Sequence, residues 1–381
     1  MIGFVLTDEL LAVQARAREF AEREIKPRAS EYDEQGTYPL DVMKLAWAAQ
    51  IMNETVPKQY GGAGHSNLES AIITEELGAA CMGMGTSIMA NSLAIAPIIL
   101  FGTEEQKEKY LGWHTREFRI AAFCLTERDA GSDASASKTT AERVGDEYVL
   151  NGSKCFSTNG SHADVYVVFA VTAQNKGPLG MSAFIVERSM GVEIGKAENK
   201  MGQRASNQAE LHFNNVRVPA ANLLGGREGL GFKIAMGTLD RTRAGTAAGA
   251  VGIARRALEE AVAYANQRVQ FGQPLIKQQA IQFKLADMAT KIEAARLLTW
   301  QAAWMADNNI RQSKESAMAK CFAGDTAMEV TTEAVQILGG NGYSKEYPVE
   351  KLMRDAKLMQ IYEGTQEIQR LVIAREVAKT R

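Results

Sequence analysis

The feature that most limits what this chain can fold into is a change of residue period that happens twice along its 381 residues. Up to about residue 118, apolar residues recur at helical spacing, as in Leu10, Val13, Ala17, Phe20 and Ala21 behind the capping residue Thr7. Stretches 67–80 and 87–101 read as two buried helices, and 56–66, with Pro57, Gly61, Gly62 and Gly64, as a loop. From about 119 to 228 short β-rich runs take over, separated by Gly, Pro, Asn or Asp. In one of them Leu211 and Phe213, then Val216 and Val218, alternate with polar neighbours. From about 229 the helical period returns. Leu258, Val262, Ala265 and Val269 make one apolar stripe, and long helices are expected over 279–306 and 316–338. Strands that follow one another without intervening helices predict an antiparallel domain, and no strand–GxGxxG–helix unit is present. The expected architecture is α+β, mainly α, with a helical domain at 1–118, a β domain at 119–228 and a helical bundle at 229–381. Broad apolar faces on the last helices point to an oligomer interface.

Composition narrows the function. With 43 Lys and Arg against 45 Asp and Glu, the net charge of -2 gives no electrostatic footing for nucleic acid or an anionic membrane. Cys81, Cys124, Cys155 and Cys321 are far apart with no CxxC, and His65, His114, His162 and His212 show no paired spacing. Neither a disulfide framework nor a protein-bound metal is expected. The N-terminal stretch passes quickly into a charged amphipathic pattern without a signal-peptide core, and the apolar run 93–102 is too short to span a bilayer. The simplest location is a reducing, bacterial cytoplasm; a mature mitochondrial matrix protein would look the same.

Glu363 lies in "LMQIYEGTQEIQRLV" (358–372), just ahead of the last expected helix. Alone, such an acid is an ordinary first-turn residue favoured by the helix dipole. It is not alone. "VPKQYGGAG" (56–64), "LTERDAGSD" (125–133), "NGSKCFSTNG" (151–160), "DRTRAGTAAGAVG" (240–252), "QRVQFGQPL" (267–275) and "AVQILGGNGY" (334–343) precede it, and the final motif extends over 347–375. In that order they resemble the acyl-CoA dehydrogenase family, most closely its medium-chain (short/medium-chain) type, through nearly the whole chain.

That resemblance implies a helical domain, a β-barrel and a four-helix domain, with FAD as cofactor, a homotetramer, and an electron-transfer flavoprotein as partner. The implied reaction is α,β-dehydrogenation of an acyl-CoA thioester, a base taking the α-proton while the β-hydrogen leaves as hydride to flavin N5. Glu363 falls on the base position. Its backbone N–H would bond the thioester carbonyl, and Gly364 lets the backbone approach. Branches of the family that carry the base elsewhere place it where this chain has Thr242.

By the same resemblance Phe123, Leu125, Thr126, Ser132, Phe156, Ser157 and Thr158 flank the isoalloxazine. Arg268, Gln270, Phe271, Gln278 and Gln279 reach the pyrophosphate and adenosine, as do Gln336, Gly339 and Gly340 from a neighbouring subunit. Thr365 and Glu367 complete the cradle. Ser132, Asp240 and Arg243 match positions that contact CoA, while Tyr362 and the 87–99 helix line the acyl cavity. The chain departs from the family pattern at Arg128, Asp129, Phe156 and Ser157, which bears on flavin tuning and partner docking. An acyl-CoA oxidase, a desulfinase or a flavin monooxygenase shares the fold, and a scaffold that had lost flavin is the non-catalytic alternative.

Overall fold

The computed structural model describes residues 5–379, so the first four residues of the N-terminal stretch read above lie outside it. The first long helices are α1 (Asp8–Phe20), α2 (Ala29–Gln35), α3 (Leu40–Ala48), α4 (Asn67–Phe101) and α5 (Glu104–Arg116). Thr7 caps α1, its hydroxyl accepting from the Leu10 N–H at 3.4 Å. The helices expected at 67–80 and 87–101 are one run, opened by a Ser66–Glu69 capping box and broken at Cys81, whose φ of -164° and ψ of 108° leave the helical region. Ser70 and Ser92 both donate to the Glu54 carboxylate, at 2.6 and 2.8 Å. In a straight helix these serines would stand about 33 Å apart, so the run doubles back at Cys81. Taken whole, α4 is long and apolar enough to cross a bilayer, longer than the 93–102 stretch implied; its apolar window is 67% buried inside the protein.

Strands β1 (Ala121–Cys124), β2 (Thr140–Val144), β3 (Glu147–Thr158), β4 (Val165–Val171), β5 (Met181–Glu187), β6 (Glu193–Ala197) and β7 (Gln208–Pro219) follow. They form one seven-stranded sheet in the order β1-β4-β2-β3-β7-β6, with β5 on β4. Most pairs are antiparallel, but β1 runs parallel to β4, Ala121 opposite Val165, and a parallel bridge joins Thr140 to Val171. The sheet is therefore mixed rather than wholly antiparallel, because the β2–β3 hairpin lies between β1 and β4 and supplies the crossover a parallel pair needs. Between Lys154 and Ser157 the register of β3 on β7 slips, and Phe156 takes a φ of 53°. That bulge turns Phe156 outward and sends Ser157 into the core.

The C-terminal region holds α6 (Gly231–Gln267), the short hairpin β8–β9 (Val269–Gln270, Gln273–Pro274), α7 (Gln279–Asp307) and α8 (Ser313–Leu338). Then α9 (Val349–Met359) and α10 (Gln366–Ala378) pack on α8. The expected stripe holds in part: Ala265 is buried and Leu258 and Val262 pack partly buried against the bundle core, but α6 ends at Gln267 and Val269 is exposed, and the fully buried face runs through Ala250, Ala254, Ala257, Ala261 and Ala265. Small residues also bring α6 hard against α4, where a Cβ on Gly78 would stand 2.7 Å from the Gly249 carbonyl oxygen. That close crossing fixes the height at which the first turns of α6 meet the doubled-back α4.

Candidate active site

A cavity of about 740 Å³ opens between α4, α6, the β1–β3 side of the sheet and the turn from α9 to α10. Glu363 sits in that turn. α10 begins only at Gln366, capped by the Thr365 hydroxyl, so Glu363 precedes the helix instead of occupying its first turn. Its φ is 58° and that of Gly364 is 91°. Glycine takes the left-handed region without strain, whereas glutamate there must be held by its surroundings.

The holding groups come from three helices. Gln369 of α10 donates to the Glu363 and Gly364 carbonyls at 3.0 and 2.9 Å. Lys320 of α8, 1% exposed, donates to the Gly364 carbonyl at 2.7 Å and to Gln366 Oε1 at 3.1 Å. Arg243 of α6 donates to the Glu363 carbonyl at 3.4 Å and pairs with Asp240 at 2.5 Å. Thr242 then donates its hydroxyl to Glu363 Oε2 at 3.0 Å. The threonine at the alternative base position thus holds the carboxylate. Among the described residues, no group accepts a hydrogen bond from the Glu363 N–H.

Burial pushes the Glu363 carboxyl above its ordinary value, and the Thr242 hydroxyl, Arg243 and Lys320 partly offset this. Burial likewise draws the Lys320 ammonium down to about 8, with Glu363 opposing the shift. A carboxylate of raised basicity, one of whose oxygens meets no described donor, is chemically a proton acceptor.

Across the cavity stand Phe123, Leu125, Thr126, Ser132, Phe156 and Thr158. Their scaffold is a buried ion pair. Lys154 donates to Glu127 at 2.7 Å, to the Leu125 carbonyl at 3.1 Å and to Ser137 at 3.1 Å. Glu127 also accepts from the Lys138 and Thr139 N–H groups, at 2.7 and 3.0 Å, and these contacts hold its carboxyl down to about 2. The loop carrying Thr126 and Ser132 is thereby tied to β3, which carries Phe156 and Thr158.

The wall fits a planar group with a polar edge. Phe123 and Phe156 supply aromatic surface, the Thr126 and Ser132 hydroxyls meet no described partner, and the buried Gln208 Oε1 is also unpaired. Tyr362 and Thr365 line the same cavity, as do Met89, Ala90, Leu93 and Ala96 of α4.

Other expected positions lie elsewhere. The Ser157 side chain is buried off the cavity wall. Asp240 is not on the wall; it accepts from Ser313 at 2.5 Å as well as from Arg243. Glu367 is exposed on α10, its carboxyl lowered by its own backbone N–H and the Thr365 hydroxyl. Arg128 and Asp129 face solvent, paired with Glu210 and Lys138.

Arg268, Gln270, Phe271, Gln278, Gln279, Gln336, Gly339 and Gly340 also lie off the cavity, and Phe271 is 96% exposed. The reason is length: Arg268 stands 22 residues beyond Thr246 on a continuous helix, about 33 Å away. Conversely, Lys320, Gln208, Glu54 and Arg241 were not singled out from the sequence. Lys320 had a readable signal, a cation on the α8 stripe of Ser316, Ala317, Ala323 and Ala327.

Three family models match in chain order: the acyl-CoA dehydrogenase N-terminal domain over residues 7–116, the middle domain over 122–216 and the C-terminal domain over 229–378. The chain belongs to the acyl-CoA dehydrogenase family. It is 46% identical over 378 residues to the short-chain specific acyl-CoA dehydrogenase of Clostridium acetobutylicum, covering 99% of this chain and 100% of that one. The structure of butyryl-CoA dehydrogenase from Megasphaera elsdenii matches with a TM-score of 0.97 at 46% identity, over 99% of this chain and 100% of that one. A chain solved in work on the electron transferring flavoprotein of Acidaminococcus fermentans and flavin-based electron bifurcation matches with a TM-score of 0.97 at 48% identity, over the same shares. The protein is an oxidoreductase of this family, and its cofactor is FAD.

Proposed function

We propose that this acyl-CoA dehydrogenase converts a short- to medium-chain acyl-CoA to its trans-2-enoyl-CoA, with Glu363 as the base that takes the α-proton. The observation that carries this reading is the Glu363 turn. A carboxylate on the cavity wall, bound by one hydroxyl, sits next to its own N–H, which meets no acceptor among the described residues. An α-C–H is a weak acid, and its removal requires that the negative charge developing on the thioester oxygen be met by a fixed donor. The left-handed backbone at Glu363, with no described acceptor for its N–H, supports that role. Carboxylate and donor belong to one residue, so the Lys320 and Gln369 contacts that lock the turn fix both together.

Thr126, Ser132, Thr158, Phe123 and Phe156 would hold the flavin ring, which when bound supplies the acceptor for the β-hydrogen. The exposed group Arg268–Gln279 and Gln336–Gly340 serves the cofactor's distal half in a neighbouring copy of the chain, consistent with a homotetramer. An electron-transfer flavoprotein is the proposed oxidant, and the cytoplasm the proposed compartment. The test is anaerobic addition of butyryl-, hexanoyl- and octanoyl-CoA to the FAD-loaded protein. Loss of the oxidised flavin's visible absorbance is expected with at least one of them, whereas an unchanged spectrum with all three contradicts the reading. Reoxidation faster with an electron-transfer flavoprotein than with dissolved oxygen separates dehydrogenase from oxidase.

A further inference from the structure

Resting on that reading, we infer that the far end of the acyl cavity receives an anionic group, with Arg241 as its receptor, so that acyl chains ending in a carboxylate are substrates. Arg241 lies on the cavity wall, only partly exposed, and makes no hydrogen bond or ion pair with any described residue. Arg116, Arg227 and Arg268 also make none, but they are exposed, where water solvates them. A guanidinium drawn partly out of water without a partner is costly. Asp307 is the acid whose charge acts on it. That carboxylate, however, is engaged by the Asn67 N–H and side chain at 2.7 and 2.5 Å and by the Leu68 N–H at 3.0 Å. Arg241 therefore keeps a planar fork of donors for a ligand, and that fork matches a carboxylate.

Its place on α6 selects the acyl chain over CoA. One turn on from Arg241, a Cβ on Gly245 would stand 3.6 Å from the Met89 methyl of α4, and beside them Thr242 reaches Glu363. Asp240 and Arg243, the positions matched to CoA contacts, already pair with each other, Asp240 also accepting from Ser313 and Arg243 donating to the Glu363 carbonyl, so neither is left without a partner as Arg241 is among the described residues. The cavity wall is also polar in part: Asn67, which holds the Asp307 carboxylate whose charge acts on Arg241, lines it, as do Ser70, Ser92, His65 and Glu54. Glu54 carries the opposing charge there, but both its oxygens are bound by serine hydroxyls on the α4 side. His65 is engaged by Arg16 and Glu69, at 2.9 and 3.0 Å. An anion is thus steered to the α6 wall, away from Glu54.

The experiment compares two six-carbon acyl-CoAs, one ending in methyl and one in carboxylate, on the FAD-loaded wild type and on Arg241→Leu and Arg241→Lys. Wild type should oxidise both. In Arg241→Leu the ratio of kcat/KM for the carboxylated over the methyl-ended substrate should fall about tenfold or more, the loss expected for a charged hydrogen bond; Arg241→Lys should keep part of it. Failure of wild type to oxidise the carboxylated substrate while oxidising the other overturns the inference alone. An equal loss on both substrates in Arg241→Leu also overturns it, because the two share every CoA phosphate. No flavin reduction with either substrate in wild type overturns the dehydrogenase reading as well.

Discussion

Two carboxylates face the same cavity and are held in opposite ways. Glu54 is 6% exposed and gives each oxygen to a serine hydroxyl, Ser70 on one arm of α4 and Ser92 on the other. Glu363 receives one hydroxyl, from Thr242, and its rigidity comes from the backbone on either side, through Gln369, Lys320 and Arg243. A carboxylate bound at both oxygens staples two helical arms and is a wall. A carboxylate whose main chain is fixed, with one oxygen free of described donors, can accept a proton without losing its place. The difference is that reactivity here depends on immobilising the backbone while leaving a lone pair free.

Removing each carboxylate should separate the two roles most sharply. Glu363→Gln keeps the size and the Thr242 contact but removes the base, so kcat should fall about 10²- to 10⁴-fold while FAD remains bound. Retained turnover in steady-state assays would put the base elsewhere. Next comes the scaffold of the turn. Lys320→Met strips the Gly364 carbonyl of one of its two buried donors and removes a positive charge near Glu363. kcat/KM should drop about tenfold, and the acid limb of the pH profile should move upward. Lys320→Arg should restore part of the limb, which a purely structural role would not.

The sign follows from the carboxylate being the active form. Because burial raises the Glu363 pKa, activity is lost as pH falls through a value above the ordinary glutamate range. Thr242→Val removes a donor that favours the ionised form, so the limb should shift further up, by less than about one pH unit. A shift to lower pH in that variant would mean the hydroxyl stabilises the neutral acid instead. The smallest effect belongs to the wall: Glu54→Gln should cost about 1 kcal/mol of stability, read as a lower Tm, without moving the pH limb. Movement of the limb in Glu54→Gln would erase the distinction between the two carboxylates.

Much of the frame was legible in the residues. Period-two runs between two helical stretches gave the order of regions, and Gly364 beside Glu363 signalled a close approach of backbone. Other features required the folded chain. Nothing local distinguishes Glu363 as a left-handed residue, because its φ of 58° is imposed by Gln369, Lys320 and Arg243 acting from three helices. The parallel β1–β4 pair was hidden because its partners are separated by a hairpin. Val269 completed a stripe in sequence but not in space, since α6 stops two residues earlier. Arg241 and Arg243 are alike in the sequence "DRTRAG", and only their partners, none among the described residues for one and Asp240 for the other, set them apart.

The most direct measurement of Glu363 as base is proton exchange uncoupled from oxidation. An acyl-CoA with sulfur in place of its β-carbon keeps an acidic α-C–H but has no β-hydrogen to lose. Incubated in D2O with the FAD-loaded wild type, it should take up deuterium at the α-carbon, and with Glu363→Gln it should not. Equal deuterium uptake by the two proteins would contradict the assignment.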